Sequence, residues 1–264
     1  MAFPDVPRVI YGKNPLQEVI CQLRFPPVLR IDAEPPAAFQ EQIRADYPFY
    51  ESKSPLRLPA GLPANLAQML VADLPLGGLK SHDFDSNDRI WSLNLTREFL
   101  ALTCRAYERW ENFRERLKGA GETLNKHYNP PFFTRIGLRY RDVIRRSRLQ
   151  LAETPWSELL QPWVSGVLGS PETAERVKNA QSTFLIELPE EVGQLQVSSG
   201  LAVDGQSKEI AFLIDADFYT EQQTEPSDVF KRLNILNRYA RTFFRWCITD
   251  RLHEAMRPRP VASD

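Results

Sequence analysis

The chain of 264 residues is 42% hydrophobic and 25% charged, with a formal net charge of −1, enough for a real core and too little basic excess for a uniformly basic nucleic-acid binder. Its longest apolar runs, such as AFLI at 211–214, fall far short of the roughly 20 residues of a membrane-spanning helix. The N-terminal MAFPDVPRVIYGKNP lacks the pattern of a secretory leader, and Cys21, Cys104 and Cys247 sit far apart among apolar neighbours without C-x-x-C spacing, so the expectation is a cytoplasmic protein with buried free thiols.

The first half opens with EVICQLRF (18–25), where Val19, Cys21, Leu23 and Phe25 alternate with Glu18, Gln22 and Arg24, as in a half-buried strand. A short helix is expected around Phe39, Ile43 and Tyr47. Three strands follow, GLKSHDF (78–84), RIWSLNL (89–95) and FLALTCRAY (99–107), joined by the polar turns DSND and TRE. A helix then carries Trp110, Phe113, Leu117, Leu124 and Tyr128 on one stripe. Proline-rich stretches at 26–27, 33–37, 54–64 and 129–131 read as loops.

The second half opens with FFTRIGLRYRDVIRR (132–146) and continues into a helical segment with Trp156, Leu159, Leu160 and Trp163. Three strands are again expected, at 182–188, 193–203 and 209–219, with the turns PEEVG and DGQSK between them. One long helix from about 227 to 256 closes the chain, started by Pro226 and Ser227 and stopped by Pro258.

Each half therefore reads β-α-β-β-β-α, with residues 1–129 as one repeat and 130–264 as the other, packed as one unit. CQLRF (21–25) matches IGLRY (136–140) loosely, which makes Arg24 and Arg139 equivalent positions. The fold class expected is α+β, with antiparallel sheets covered by helices on one face. Its element order compares with helix-grip and TATA-binding-protein-like folds.

Signatures of chemistry are sparse. No P-loop, G-x-G-x-x-G, G-x-S-x-G or H-E-x-x-H is present, and nothing implies a cofactor. HDFDSND (82–88) starts like a calcium loop but has Asp88 at the sixth position and Asn94 at the twelfth, so a polar hairpin turn is expected. His127 and His253 fall near helix ends, where an imidazolium complements the helix dipole.

Charge is distributed unevenly. Residues 135–148 hold six arginines against Asp142 alone, whereas 187–228 hold ten carboxylates against Lys208 alone. Asp215 and Asp217, two apart on a strand, share a face. If the opening strand of the half lies beside its last strand, these aspartates meet Arg139 and Arg141 as structural ion pairs; the alternatives are a divalent-ion or acid–base site and a partner-binding surface. Arg24 belongs with this set by its equivalence to Arg139. Arg135, Arg145, Arg146 and Arg148 have no assigned carboxylate and are candidate partner-binding residues, together with Arg238, Arg241 and Arg245 on one face of the last helix. Those arginine sets could track phosphates, although few aromatics interleave with them for base stacking.

Three segments, NPLQEVICQLRFPPVLRI, FLALTCRAYERWENF and FFTRIGLRYRDVI, resemble a sporadically distributed prokaryotic family of conserved hypothetical proteins, over most of the chain and most specifically in RIGLRY. The resemblance implies no catalytic residues. Its patchy distribution is similar to that of genes travelling with mobile elements, defence systems or toxin–antitoxin pairs. The leading expectation is a non-enzymatic accessory or antitoxin-like protein that docks another macromolecule, foremost a protein, on an exposed sheet face. Nucleic-acid binding through the arginines and a metal-dependent enzyme using Asp215 and Asp217 are the alternatives.

Overall fold

Nine strands, most of them drawn in by alternating apolar residues, form one antiparallel sheet in the computed structural model, which describes residues 3–4, 6–53, 80–170, 172–189, 192–205 and 208–261. The loop expected at 54–64 lies outside the described residues, as do Gly78 and Leu79 of one expected strand and parts of the turns PEEVG and DGQSK. The first half contains strands β1 (Val9–Tyr11) and β2 (Leu16–Arg24), short helices α1 (Arg30–Ala33) and α2 (Ala37–Ile43), strands β3 (Phe49–Lys53), β4 (Ser81–Asp85), β5 (Trp91–Leu95) and β6 (Phe99–Cys104), and helix α3 (Trp110–Tyr128). The second contains β7 (Arg135–Ile144), α4 (Pro162–Ser165), β8 (Gln181–Glu187), β9 (Gln194–Val203), β10 (Ile210–Thr220), α5 (Val229–Cys247), α6 (Asp250–Ala255) and β11 (Pro258–Pro260). The fold is α+β.

The sheet order is β3-β4-β5-β6-β2-β7-β10-β9-β8, and β1 pairs separately with β11. Strands β2 and β7 lie side by side at the centre, with Gln22 opposite Gly137 and Arg24 opposite Arg135. Outward from them, β6 and β10 come next on the two sides, so strands of both halves hydrogen-bond in a single sheet.

One face of the sheet is apolar and covered. Val19, Cys21 and Leu23 of β2 point to it, as do Ile136, Leu138 and Ile144 of β7 and Phe212, Ile214 and Phe218 of β10, all nearly fully buried. Helix α3 lays Phe113, Leu117 and Leu124 against this face, and α5 lays Leu233, Leu236 and Phe243 against it. Each such side chain contributes about 1.5–3 kcal/mol of transfer free energy on burial. All three cysteines are free and buried in the same core.

Three elements differ from the sequence reading. Strand β3 pairs with the edge of β4 although every one of its residues is exposed, because an edge strand needs backbone pairing and no apolar alternation. The Trp-rich segment forms separate single turns, among them a 3₁₀ turn at Trp156–Glu158 and the four-residue α4, instead of one helix. The terminal helix breaks after Cys247: Ile248 is extended and bridges to Leu160, and the Thr249 side chain accepts a hydrogen bond from the Leu252 amide to start α6. The cap satisfies an orphan amide that a continuous helix would not have created.

Candidate functional site

The uncovered face of the sheet carries the arginines. Because side chains alternate along β7, Arg135, Arg139 and Arg141 all project to this face. Strand β10 places Asp217 opposite Arg139 and Asp215 opposite Arg141. The pairs of Arg135 and Arg139, however, run diagonally, whereas Arg141 meets its register partners on both sides. Arg139 donates from Nε and Nη2 to the two oxygens of Asp215, each at 2.6 Å, a bidentate fork. Arg141 donates to Glu18 at 2.5 Å, and its Nε lies 3.3 Å from Asp215. Arg135, expected to lack a carboxylate, donates to Asp217 at 2.8 Å and lies 4.3 Å over the Tyr219 ring. Gly137 makes room for it, since a Cβ there would stand 2.4 Å from Arg135 Nη1.

Further corrections concern the other arginines. Arg24, expected in an ion pair, is half-buried on the same face and makes no side-chain hydrogen bond or ion pair among the described residues. Arg145, expected without a carboxylate, pairs with Asp204 at 2.8 Å in a nearly buried position. Arg146 donates to the Thr154 carbonyl and stacks 4.6 Å over Trp156. Only Arg148 of that group is exposed, in the 3₁₀ turn Ser147–Leu149. The helical set also divides: Arg238 is exposed, whereas Arg241 and Arg245 are half-buried along a cavity, with Arg245 paired to Asp250. They do not form one solvent-facing stripe, because helix residues at this spacing straddle the edge of the buried face.

The histidine and aspartate motif is the end of strand β4 and the hairpin turn that follows it. Asp85 pairs with Arg89 at 2.6 Å, Asp88 accepts from Ser86 Oγ at 2.5 Å and the Ile90 amide at 2.9 Å, and Asp83 lies 2.7 Å from Lys53. Among the described residues no group of three or more His, Cys, Asp or Glu could hold a metal ion. His127 and His253 were expected to charge at helix ends. Burial, reinforced by Lys126 and Arg30 around His127 and by Arg245 beside His253, instead holds both imidazoles below their ordinary pKa.

Two concavities flank the sheet. The uncovered face forms an open groove of about 620 Å³, in which Arg24, Arg105, Arg135 and Arg139 interleave with Asp85 and Asp217. Among the described residues Arg105 there finds only neutral acceptors, Ser92 Oγ and the Arg89 carbonyl. The covered face holds a second cavity of about 370 Å³ between the sheet, α5 and a strap formed by residues 6–11. The strap is clasped where β1 pairs with β11, and Tyr11, whose hydroxyl burial pushes up to about 12, shares a hydrogen bond of 2.8 Å with His253 Nδ1.

Sequence reasoning missed the most unusual group in this cavity. Asp142 lies on the inward parity of β7, beside Leu16 of β2 and Ile214 of β10, and is 6% exposed. Its carboxyl has no hydrogen bond or ion pair among the described residues. Burial, and then the negative charge of Asp215, raise its pKa to about 8. A signal existed: Asp142 falls in step with Ile136, Leu138, Tyr140 and Ile144, the apolar parity of the strand. Beside it, Asn237 of α5 donates to the Tyr140 hydroxyl at 2.7 Å.

No family model matches the chain, and no curated protein matches it. No helix among the described residues is long and apolar enough to cross a membrane.

Proposed function

We propose that this is a non-enzymatic binding protein whose uncovered sheet face receives another macromolecule, and that the partner is a protein. The observation that carries this reading is the arrangement of charge in the groove. Arg135, Arg139 and Arg141 are already neutralised by Asp217, Asp215 and Glu18, so the face presents fixed pairs of both signs, with Arg24 and Arg105 left without a carboxylate among the described residues. Such a mosaic suits a partner of mixed charge and sets register and specificity more than raw affinity.

Nucleic acid fits this face less well, because phosphates would meet Asp83, Asp85 and Asp217 as well as arginine. A metal-dependent enzyme fits least: an ion at Asp215 and Asp217 would have to displace three guanidinium contacts. The test is affinity purification of the full chain from its native host, wild type beside Arg24→Glu/Arg105→Glu. A protein that co-elutes with the wild type and is lost with the variant supports the reading. Absence of any co-eluting partner, or one held equally by the variant, overturns it, and retention of DNA or RNA on filters that collapses with added salt would favour the nucleic-acid alternative.

The same reading includes an internal duplication of the β-α-β-β-β-α unit with a helix-grip or TATA-binding-protein-like plan. Its support is the pairing of β2 with β7 at Gln22 and Gly137, the pair that the CQLRF and IGLRY alignment also makes equivalent, and the equal length of α3 and α5 at 19 residues. An accessory or antitoxin-like role in the cytoplasm, in a prokaryotic family of mobile or defence-type context, belongs to this proposal as well.

A further inference from the structure

We propose that the cavity on the covered side of the sheet is a small-molecule site, and that it takes a compound with an apolar body and a primary amine, the amine seated on Asp142. This inference is independent of the groove reading, since the two concavities lie on opposite faces of the sheet.

The cavity has the size of a ligand site, about 370 Å³, with an apolar and aromatic wall, the strap along one side, and polar groups that include Asp142 and four arginines around it. Its apolar wall includes Leu16, Ile214, Ala216, Phe218, Phe243 and Phe244. Asp142 is the feature a packed core does not explain. Its side chain makes no hydrogen bond or ion pair among the described residues and the residue is 6% exposed, so the carboxyl opens onto the cavity with its hydrogen-bonding capacity available to a bound group. Tyr11, Tyr140 and Asn237 line the same cavity, but Tyr11 is hydrogen-bonded to His253 and Tyr140 accepts from Asn237.

The charged and titratable groups around Asp142 decide which ligand suits it. From the strap come Arg8 and Tyr11, from the 107–110 loop Tyr107, Glu108 and Arg109, from β7 itself Tyr140, from α5 Arg241, Arg245 and Cys247, and from α6 His253. Arg8 pairs with Glu111 and Arg245 with Asp250, Arg241 is engaged elsewhere although its buried Nε makes no hydrogen bond among the described residues, and Arg109 is exposed to solvent. Neither arginine of α5 figures among the influences on Asp142, whose acidity is set by burial and Asp215. A ligand amine thus meets a carboxyl that no protein cation occupies. On binding at neutral pH, the Asp142 carboxylic acid loses its proton to solvent and the resulting carboxylate pairs with the ammonium, so association releases up to one proton.

The test uses the full-length protein, isothermal titration calorimetry, and three probes that share a phenyl body: 2-phenylethylamine, 2-phenylethanol and 3-phenylpropanoate. The amine is expected to bind roughly tenfold to a hundredfold more tightly than the alcohol, the gain of a hydrogen bond to a charged group. Amine binding is expected to release a proton at pH 7, read from the dependence of the heat on buffer ionisation enthalpy, and to strengthen as pH rises from 6 to 8. Asp142→Asn, which keeps shape and removes the charge, should erase the preference for the amine and the proton release. Ala240→Leu, which narrows the cavity from α5, should weaken amine and alcohol alike. Absence of amine binding at millimolar concentration, equal binding of amine and alcohol, tighter binding of the acid, or an amine preference that survives in Asp142→Asn overturns the proposal.

Discussion

Arg139 clamps Asp215 with two hydrogen bonds at 2.6 Å although Asp217, not Asp215, is its register partner on β10. The diagonal reach leaves Asp217 to Arg135 and lets Asp215 serve Arg141 as well, so one nearly buried carboxylate anchors two guanidiniums. Asp215→Asn is therefore expected to cost about 1–3 kcal/mol in urea unfolding, since it strips charge from a buried acceptor and leaves two cations short of a partner. Arg139→Ala should cost less, about 0.5–1 kcal/mol, because the arginine side chain is 46% exposed and solvent takes over part of its role. Equal losses from the two variants would mean that the pair is not organised around Asp215.

The carboxyl of Asp142 makes stability depend on pH in a direction unusual for an aspartate. Its folded pKa is raised from 3.8 to about 8, so the protein keeps a proton that the unfolded chain releases. The favourable neutral form is fully in force below the unfolded value, and stability falls as pH rises through the window from about 4 to about 8. Asp142→Asn should abolish that slope and be more stable than the wild type at pH 8 by an amount on the order of a few kcal/mol. Parallel stability curves for the two proteins from pH 5 to pH 8 would contradict the assignment. Because Asp215 contributes to the upward shift, Asp215→Asn should also lower the Asp142 pKa, observable by NMR titration.

His82 imposes the opposite trend. It is 1% exposed, its Nε2–H donates to the Ile31 carbonyl at 3.2 Å, and its Nδ1 accepts from the Tyr50 hydroxyl at 2.9 Å. Burial lowers its pKa below the ordinary 6.5, so the unfolded chain takes up a proton first and stability is lost as pH falls below 6.5 toward the folded value. The slope from this residue is at most about 1.4 kcal/mol per pH unit. His82→Gln should flatten the acid limb of the stability profile while lowering stability at pH 7, and an unchanged acid limb would show that other groups set it.

Gly137 tests the groove. A methyl at this position would stand 2.4 Å from Arg135 Nη1, the mobile end of a long side chain, so the arginine gives way and the backbone stays. Gly137→Ala is expected to cost about 0.5–1.5 kcal/mol through the loss of the Asp217 hydrogen bond. In a double-mutant cycle the alanine should cost nothing further once Arg135→Ala is present. Additive losses would place the strain in the strand itself.

Much of the architecture was legible in the chain. Alternation marked β2 and β5 to β10, the apolar stripes marked α3 and α5, and two aspartates spaced by one residue lay on the face that also carries Arg139 and Arg141. What escaped was set by distant partners. Strand β3 exists only because the edge of β4 is there to pair with it, and the break at Ile248 exists because Leu160 bridges to it. Which carboxylate holds which arginine depended on reach across the sheet: parity along β7 and β10 decides the face, while the diagonal geometry decides that Arg135 takes Asp217 and Arg24 takes none among the described residues.

Asp142 separates the two kinds of information most sharply. The sequence by itself determined its parity, because period-two alternation is a property of any strand and needs no neighbours. Only the tertiary structure decided its meaning, by closing α5 and the strap over that parity and bringing no cation within hydrogen-bonding distance of it among the described residues. Burial and pairing are sums over residues far apart in the chain, and they turn an ordinary acidic position into a carboxyl that keeps its proton near neutral pH.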